Sequence, residues 1–228
     1  MNILALETSM GACSAAVLRG DASRTLFARQ VAMERGHAEA LMPMVAEVMA
    51  EAGLDFHDLE LIAATTGPGS FTGVRIAIAA ARGLALVIKV KLFGIDSLTV
   101  MARAAHESGI AADAPFAVAI DARRGMLYFG LYDAQGRRLG GPLLIAPEKA
   151  AGMLPIKLSC AVGSGADLLA AAAQWRGQPI EVELPELQPS AATLAEIALE
   201  SGESTAVLRP LYLRPPDAKP QAQQVARR

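Results

Sequence analysis

The sequence is short of several things. Of its 228 residues only two are cysteines, Cys13 and Cys160, and both sit in apolar runs. Two isolated thiols exclude a disulfide framework and read as reduced cysteines of a cytosolic protein. Aromatic residues make up 4% of the chain, with a single tryptophan. Charged residues are 19%, and the net charge is -2. That balance lacks the basic footprint of a domain that binds nucleic acid on its own. No unbroken apolar run reaches the ~20 residues of a membrane span. The longest candidate, residues 74–90, is interrupted by Arg75, Arg82, Gly83 and Lys89. The start, Met1-Asn2-Ile3-Leu4-Ala5-Leu6-Glu7, has neither a basic segment nor a small-residue cleavage site, so it reads as a strand and not as a targeting signal.

What is abundant is apolar and small. Hydrophobic residues are 53% of the chain, and alanine alone is about a fifth. High apolar content with low net charge excludes disorder over most of the length. The length suits one large or two small domains.

A pass along the chain predicts strands at 2–9, 12–19 and 25–33, with a turn at Gly20-Asp21. A helix over 36–52 follows, with Leu41, Met44, Val45, Val48 and Ala52 on one buried face. Gly53 ends it, and Pro43 either kinks it or marks its first turn. Then come a strand at 59–66, a glycine-rich loop at 67–73, a helix to 88, a strand at 92–95 and a helix capped by Ser97. The second half predicts strands at 116–120, 126–132 and 138–145, a short helix at 148–153, a strand at 158–162, a helix at 166–175, a strand at 180–184 and a helix capped by Ser190.

Both halves therefore read βββαβαβα. Ile3-Leu4-Ala5-Leu6-Glu7 aligns with Ala117-Val118-Ala119-Ile120-Asp121, and each acid is followed four positions later by a glycine, Gly11 or Gly125. Each half then runs to a turn carrying an aspartate, Asp21 or Asp133. This points to a duplication. Two such units facing each other is the layout of the actin-like (ASKHA, ribonuclease H-like) superfamily. The expected units are 1–110 and 111–207, followed by a proline-rich basic tail, 208–228, read as extended and flexible.

Four features carry chemistry. The loop Thr66-Gly67-Pro68-Gly69-Ser70-Phe71-Thr72-Gly73-Val74-Arg75 opens a helix, where backbone N–H groups can meet an anion. It is no Walker A loop, because no lysine follows Gly73. Its alternative reading is a tight strand-to-helix turn. The helix after it has almost no polar face, so its outer side is a candidate partner surface unless the rest of the chain covers it. Met42 and Met49 add adaptable apolar bulk beside it. Glu7 and Asp121 are the carboxylate pair that the duplication would set across one cleft, with Ser9 and the turn Gly163-Ser164-Gly165 as supporting parts of a vestigial nucleotide site. The alternative is that both acids bond to nearby backbone amides. Arg123 and Arg124, directly after Asp121, read as a solvated hairpin start rather than an anion site. His37, His57 and His106 form no HxxxH or HExxH pair, so no metal is expected, and Cys13 lacks a His or Asn partner for nucleophilic catalysis.

Five segments in order then resemble one family: residues 3–9 (Ile3 to Ser9), His37-Ala38-Glu39-Ala40-Leu41-Met42-Pro43, Gly67 through Ile76, Ala119-Ile120-Asp121-Ala122-Arg123-Arg124 and Leu211-Tyr212-Leu213-Arg214. They look like the TsaB (YeaZ) family, the dimerisation subunits of the bacterial tRNA threonylcarbamoyladenosine machinery. The resemblance spans nearly the whole chain. It implies the duplicated actin-like fold and a non-catalytic scaffold. The implied partners are the catalytic paralogue TsaD, the ATPase TsaE and a second copy of the chain, with tRNA met only through the complex. It implies no cofactor for this subunit itself, ATP and magnesium belonging to the complex. The implied interface lies on the helices at 36–52 and 74–88, at His37, Leu41, Met42, Val45, Met49, Val74, Arg75, Ile78, Ala81, Arg82 and Ala85. One departure stands out. Glu7 replaces the aspartate of many family members, and its extra methylene moves the carboxylate by about 1.5 Å. Two other readings stay open: a nucleotide-dependent phosphotransferase or ATPase built on Glu7 and Asp121, and an RNA-binding module, for which only the Arg227-Arg228 tail speaks.

Overall fold

The computed structural model describes residues 1–20, 24–110, 114–202 and 208–214. The first half holds β1 (Asn2–Glu7), β2 (Ala12–Arg19), β3 (Thr25–Ala32), α1 (His37–Ala52), β4 (Leu61–Thr65), α2 (Phe71–Ile88), β5 (Lys91–Ile95) and α3 (Ser97–Glu107). The second holds β6 (Phe116–Asp121), β7 (Leu127–Tyr132), β8 (Arg138–Ile145), α4 (Pro147–Ala151), β9 (Cys160–Val162), α5 (Ala166–Trp175), β10 (Glu181–Glu183) and α6 (Ala191–Ser201). The sheets are ordered β3-β2-β1-β4-β5 and β10-β9-β6-β7-β8. In the first, β1–β2 and β2–β3 are antiparallel while β1–β4 and β4–β5 are parallel. The second repeats this with β6 in the place of β1. The fold is the duplicated α/β actin-like one that the strand and helix order predicts.

Alternation along β1 explains the layering. Ile3 and Ala5 point to one face of the sheet, Leu4 and Leu6 to the other, and all four are fully buried. Both faces must then be covered. Helices α1 and α2 cover the Leu4 and Leu6 face with Leu41, Val45, Val48, Val74, Ala77 and Ala81. The opposite face is covered by α6, through Ala191, Leu194, Ala195 and Ala198. The second sheet takes α4 and α5 on one face and α3 on the other, through Leu98, Met101, Ala102 and Ala105.

The two halves have therefore exchanged helices. Helix α3 belongs by sequence to the first unit but packs on the second sheet, and α6 does the reverse. The break at 110/111 divides the sequence and not the packing. The tail expectation changes as well. Leu208 is buried in the first core, and the Leu211 N–H donates to the Thr66 carbonyl at 2.7 Å. Residues 208–214 are thus packed, while Pro215, Pro216, Pro220, Arg227 and Arg228 lie outside the described residues, as does Asp21 of the expected turn.

Local details differ in instructive ways. The cap of α3 is Asp96, whose carboxylate accepts from the Thr99 N–H at 3.1 Å, and Ser97 is its first helical residue. Helix α1 runs through Pro43, which faces solvent. By length and composition α2 is the one helix among the described residues that could cross a membrane, yet its inner side lies in the core just described.

Candidate functional site

The glycine-rich loop docks onto the end of β1. Ser70 N–H donates to the Ser9 carbonyl at 2.7 Å, and Ser70 Oγ accepts from Gly73 N–H at 3.3 Å to cap α2. A Cβ at Gly69 would collide with the Ser9 carbonyl, and one at Gly73 with the Thr8 carbonyl. The side chain of Thr8 completes the dock, donating to the Gly73 carbonyl at 2.7 Å and accepting from Ala77 N–H at 3.2 Å. The glycines here make room for backbone rather than for phosphate. The anion-cradle reading of this loop gives way to the strand-to-helix turn, because its concave side is filled by carbonyl oxygens.

The second copy repeats the device. Gly163 and Gly165 admit the backbone at the end of β6, with Gly165 N–H donating to the Ala119 carbonyl at 2.9 Å. Ser164 Oγ accepts from Asp121 N–H at 3.2 Å.

Glu7 and Asp121 share a local role. Glu7 is buried, and its two carboxylate oxygens accept from Ser9 N–H and the Thr65 hydroxyl. Asp121 accepts from Arg123 N–H at 2.7 Å and pairs with the Arg123 guanidinium at 3.4 Å. Each acid thus bonds the amide two residues on. Burial pushes the Glu7 carboxyl up to about 7 against the pull of those hydrogen bonds. Both oxygens of this buried carboxyl are thus taken up by groups of the chain itself. Ser9 is also buried, with its hydroxyl 2.9 Å from that of Ser97. Among the described residues, no group of three His, Cys, Asp or Glu could hold a metal.

The expected interface residues divide by burial. Leu41, Val45, Met49, Val74, Ile78, Ala81 and Ala85 lie in the chain's own core, because the sheet beneath claims one face of each helix. His37 is half-buried, and its Nε2 donates to the Met10 carbonyl at 3.0 Å. Met42, Arg75 and Arg82 do face outward. The outward stripe of α2 is completed by Thr72, Ala79, Gly83, Leu86 and Val87, the last two 81% and 74% exposed. Leu86 and Val87 are the residues that sequence reasoning missed. They lay inside a helix read as apolar all round, where nothing marked which side faced out.

A second outward cluster joins segments distant in sequence. Phe71 and Tyr212 stack with centroids 5.6 Å apart. The Arg75 guanidinium lies 3.8 Å from the Phe71 centroid, and its Nε donates to the Tyr212 hydroxyl at 2.7 Å. Two residues on, Arg214 donates to the carbonyls of Ala122 at 2.9 Å and Arg123 at 3.4 Å.

A cavity of about 590 Å³ opens elsewhere, between the end of β5, the start of α3, Arg138 and residues 209–211. Arg138 donates to the Asp96 carboxylate there. None of Glu7, Ser9, Asp121, Gly163 and Gly165 lines it.

Comparison with known proteins fits this geometry. The family model described as TsaD, tRNA N6-adenosine threonylcarbamoyltransferase, matches residues 31–226. A Haemophilus influenzae tRNA threonylcarbamoyladenosine biosynthesis protein TsaB is 39% identical over 130 residues, which is 57% of this chain and 52% of that protein. The chain spans about half the length of the curated TsaB relatives it matches. The structure of YeaZ from Pseudomonas aeruginosa superposes with a TM-score of 0.76 at 31% identity, covering 93% of this chain and 99% of that one. A P. aeruginosa protein described as similar to peptidase YeaZ superposes at 0.80 with 32% identity, covering 93% and 99%. By sequence and by fold, the chain belongs to the TsaB/YeaZ family.

Proposed function

We propose that this chain is a non-catalytic scaffold subunit in the synthesis of threonylcarbamoyladenosine on tRNA. It acts in the cytoplasm by binding and activating a catalytic paralogue of the TsaD type. The observation that carries this reading is the outward face of α2, where Leu86 and Val87 stand 81% and 74% exposed; Met42 of α1, 41% exposed, is a further outward apolar side chain. Two adjacent large apolar side chains standing in solvent near the end of an otherwise core-packed helix mark a partner surface. The same face serves a second copy of the chain when the paralogue is absent. A TsaE-type ATPase joins the assembled pair, which also meets the tRNA. The subunit needs no cofactor of its own, and ATP with magnesium belongs to the complex.

The chemistry of the remaining groups supports a non-catalytic role. Burial raises both thiols, that of Cys13 to about 11, which leaves almost no thiolate for a peptidase-like attack near pH 7. The two strand-end acids are engaged in local bonds.

The test is co-purification of Leu86→Glu and Val87→Glu with the paralogue. Loss of the complex with an unchanged monomer melting curve is expected, and intact complexes in both variants would sink the reading. Ala81, which is fully buried, is unsuitable for this experiment. Depletion of the protein should also remove threonylcarbamoyladenosine from digested tRNA, as read by mass spectrometry.

A further inference from the structure

The cavity of about 590 Å³ has no part in the scaffold reading. It gathers the carboxyl ends of two parallel strands, at Thr66 just after β4 and at Gly94 and Ile95 of β5. In open α/β sheets, ligands collect outside the carboxyl ends of the strands. The segment that closes this place is packed down. Leu208 is buried against Gly94, where a Cβ would collide with it, and the Leu211 N–H bonds the Thr66 carbonyl at 2.7 Å. Three charged residues line the cavity, Asp96, Arg138 and Arg209. The Asp96 carboxylate is 7% exposed and already accepts from the Thr99 N–H, the Thr99 hydroxyl and Arg138. It also caps α3, so that helix end holds no anion site of its own. Arg209 is exposed and makes no hydrogen bond or ion pair among the described residues. The lining therefore carries one uncompensated positive charge together with apolar Ile95, Pro142, Pro210 and Leu211.

We infer that this cavity is a binding site for a small organic anion. Arg209 meets the acid group of the ligand, and the apolar residues take its body. The volume suits a molecule of metabolite size, and a mostly apolar lining with few polar groups is the usual make-up of such sites. A guanidinium forks onto a carboxylate or a phosphate alike, so the recognised chemistry is the oxyanion. A cationic ligand is disfavoured, because the one carboxylate of the lining is already engaged. Arg138 comes from β8 of the second half and is held in place by Asp96, so the ligand would sit between a strand of one half and the segment that follows α6. The inference does not depend on the scaffold reading.

The experiment titrates the full chain with benzoate and with AMP, at millimolar concentration, and follows backbone amide NMR signals. Benzamide and adenosine serve as the uncharged counterparts. At least one anion should shift the amides of Gly94, Ile95 and Arg209 saturably, and its neutral counterpart should not. Benzoate alone would assign a carboxylate ligand, and AMP alone a phosphate ester. Arg209→Gln should weaken the binding about tenfold, while Arg209→Lys keeps the charge and stays within about threefold. Arg209 is exposed and unbonded, so both variants should melt as wild type does. Absence of binding by both anions would overturn the inference. So would shifts confined to other parts of the chain, neutral compounds that bind as tightly as the anions, or an Arg209→Gln variant with wild-type affinity. Leu86→Glu tests the scaffold reading alone and should leave these titrations unchanged.

Discussion

Arg103 of α3 and Glu200 of α6 form a fork, two N–H···O bonds of 2.7 Å each, between helices that come from opposite halves of the chain. The same guanidinium also reaches Glu107 one turn along α3. Hydrogen bonding from Arg103 holds the Glu200 carboxyl below the usual range. A depressed carboxyl adds stability above its unfolded pKa and loses it as pH falls through the folded value. Both side chains are partly exposed, so screening keeps the contribution to about 1 kcal/mol or less. Glu200→Gln should therefore be slightly less stable than wild type at pH 7, with the gap closing below pH ~4. Urea titrations at the two pH values check this, and a gap that widens in acid would contradict it.

Glu7 behaves in the opposite sense. Its folded carboxyl titrates near 7, against the ordinary 4.5. Between those values the folded state holds a proton that the unfolded state has released, so stability falls as pH rises across that window. The neutral mimic Glu7→Gln removes this dependence. Relative to wild type it should gain stability between pH 5 and 8, by a few kcal/mol at most. Paired denaturation curves at the two pH values decide, and a wild type that strengthens over this range against Glu7→Gln would refute the assignment.

Two glycines of α2 should respond with opposite signs. Gly73 faces the Thr8 carbonyl with no room for a methyl group, so Gly73→Ala should cost roughly 1–3 kcal/mol or more and loosen the dock on β1. Gly83 has nothing within 4 Å of a built Cβ and faces solvent. Gly83→Ala should stabilise the monomer by about 0.5–1 kcal/mol, the helix-propensity difference. Thermal melts of both variants read the signs directly.

Cys13 and Cys160 are buried free thiols whose ionisation is suppressed. Neither should react with Ellman's reagent at pH 8 until the chain is unfolded, after which two equivalents should appear. Rapid labelling of the native protein would show that a thiol is reached from solvent.

Much of this architecture is legible in the sequence. Strand alternation and the acid-to-glycine spacing at Glu7 and Asp121 carried the duplication, because period-two patterning and tight turns are local properties. The exchange of α3 and α6 was not legible. An apolar stripe such as Leu98, Met101, Ala102 and Ala105 says that a face is buried but not which sheet buries it. On α2 the period itself failed, since Ala81 and Leu86 are both apolar while one is buried and the other 81% exposed. The 208–214 segment gave no periodic signal either. Its place is fixed by single contacts of Leu208, Leu211, Tyr212 and Arg214, which only the folded partners reveal. The glycine loop misled for a physical reason: room for a phosphate and room for a carbonyl oxygen demand the same residue.

The helix exchange limits how the molecule can move. Each sheet has one face sealed by a helix borrowed from the other half, and Val100 of α3 reaches the first core beside α6. A wide hinge between the halves would strip those faces bare, so the exchange opposes it. Separated at residue 110, either fragment would carry a raw apolar sheet and would be expected to stay in solution only when the other is supplied. The duplication has produced an interlocked pair, in which each half completes the core of the other.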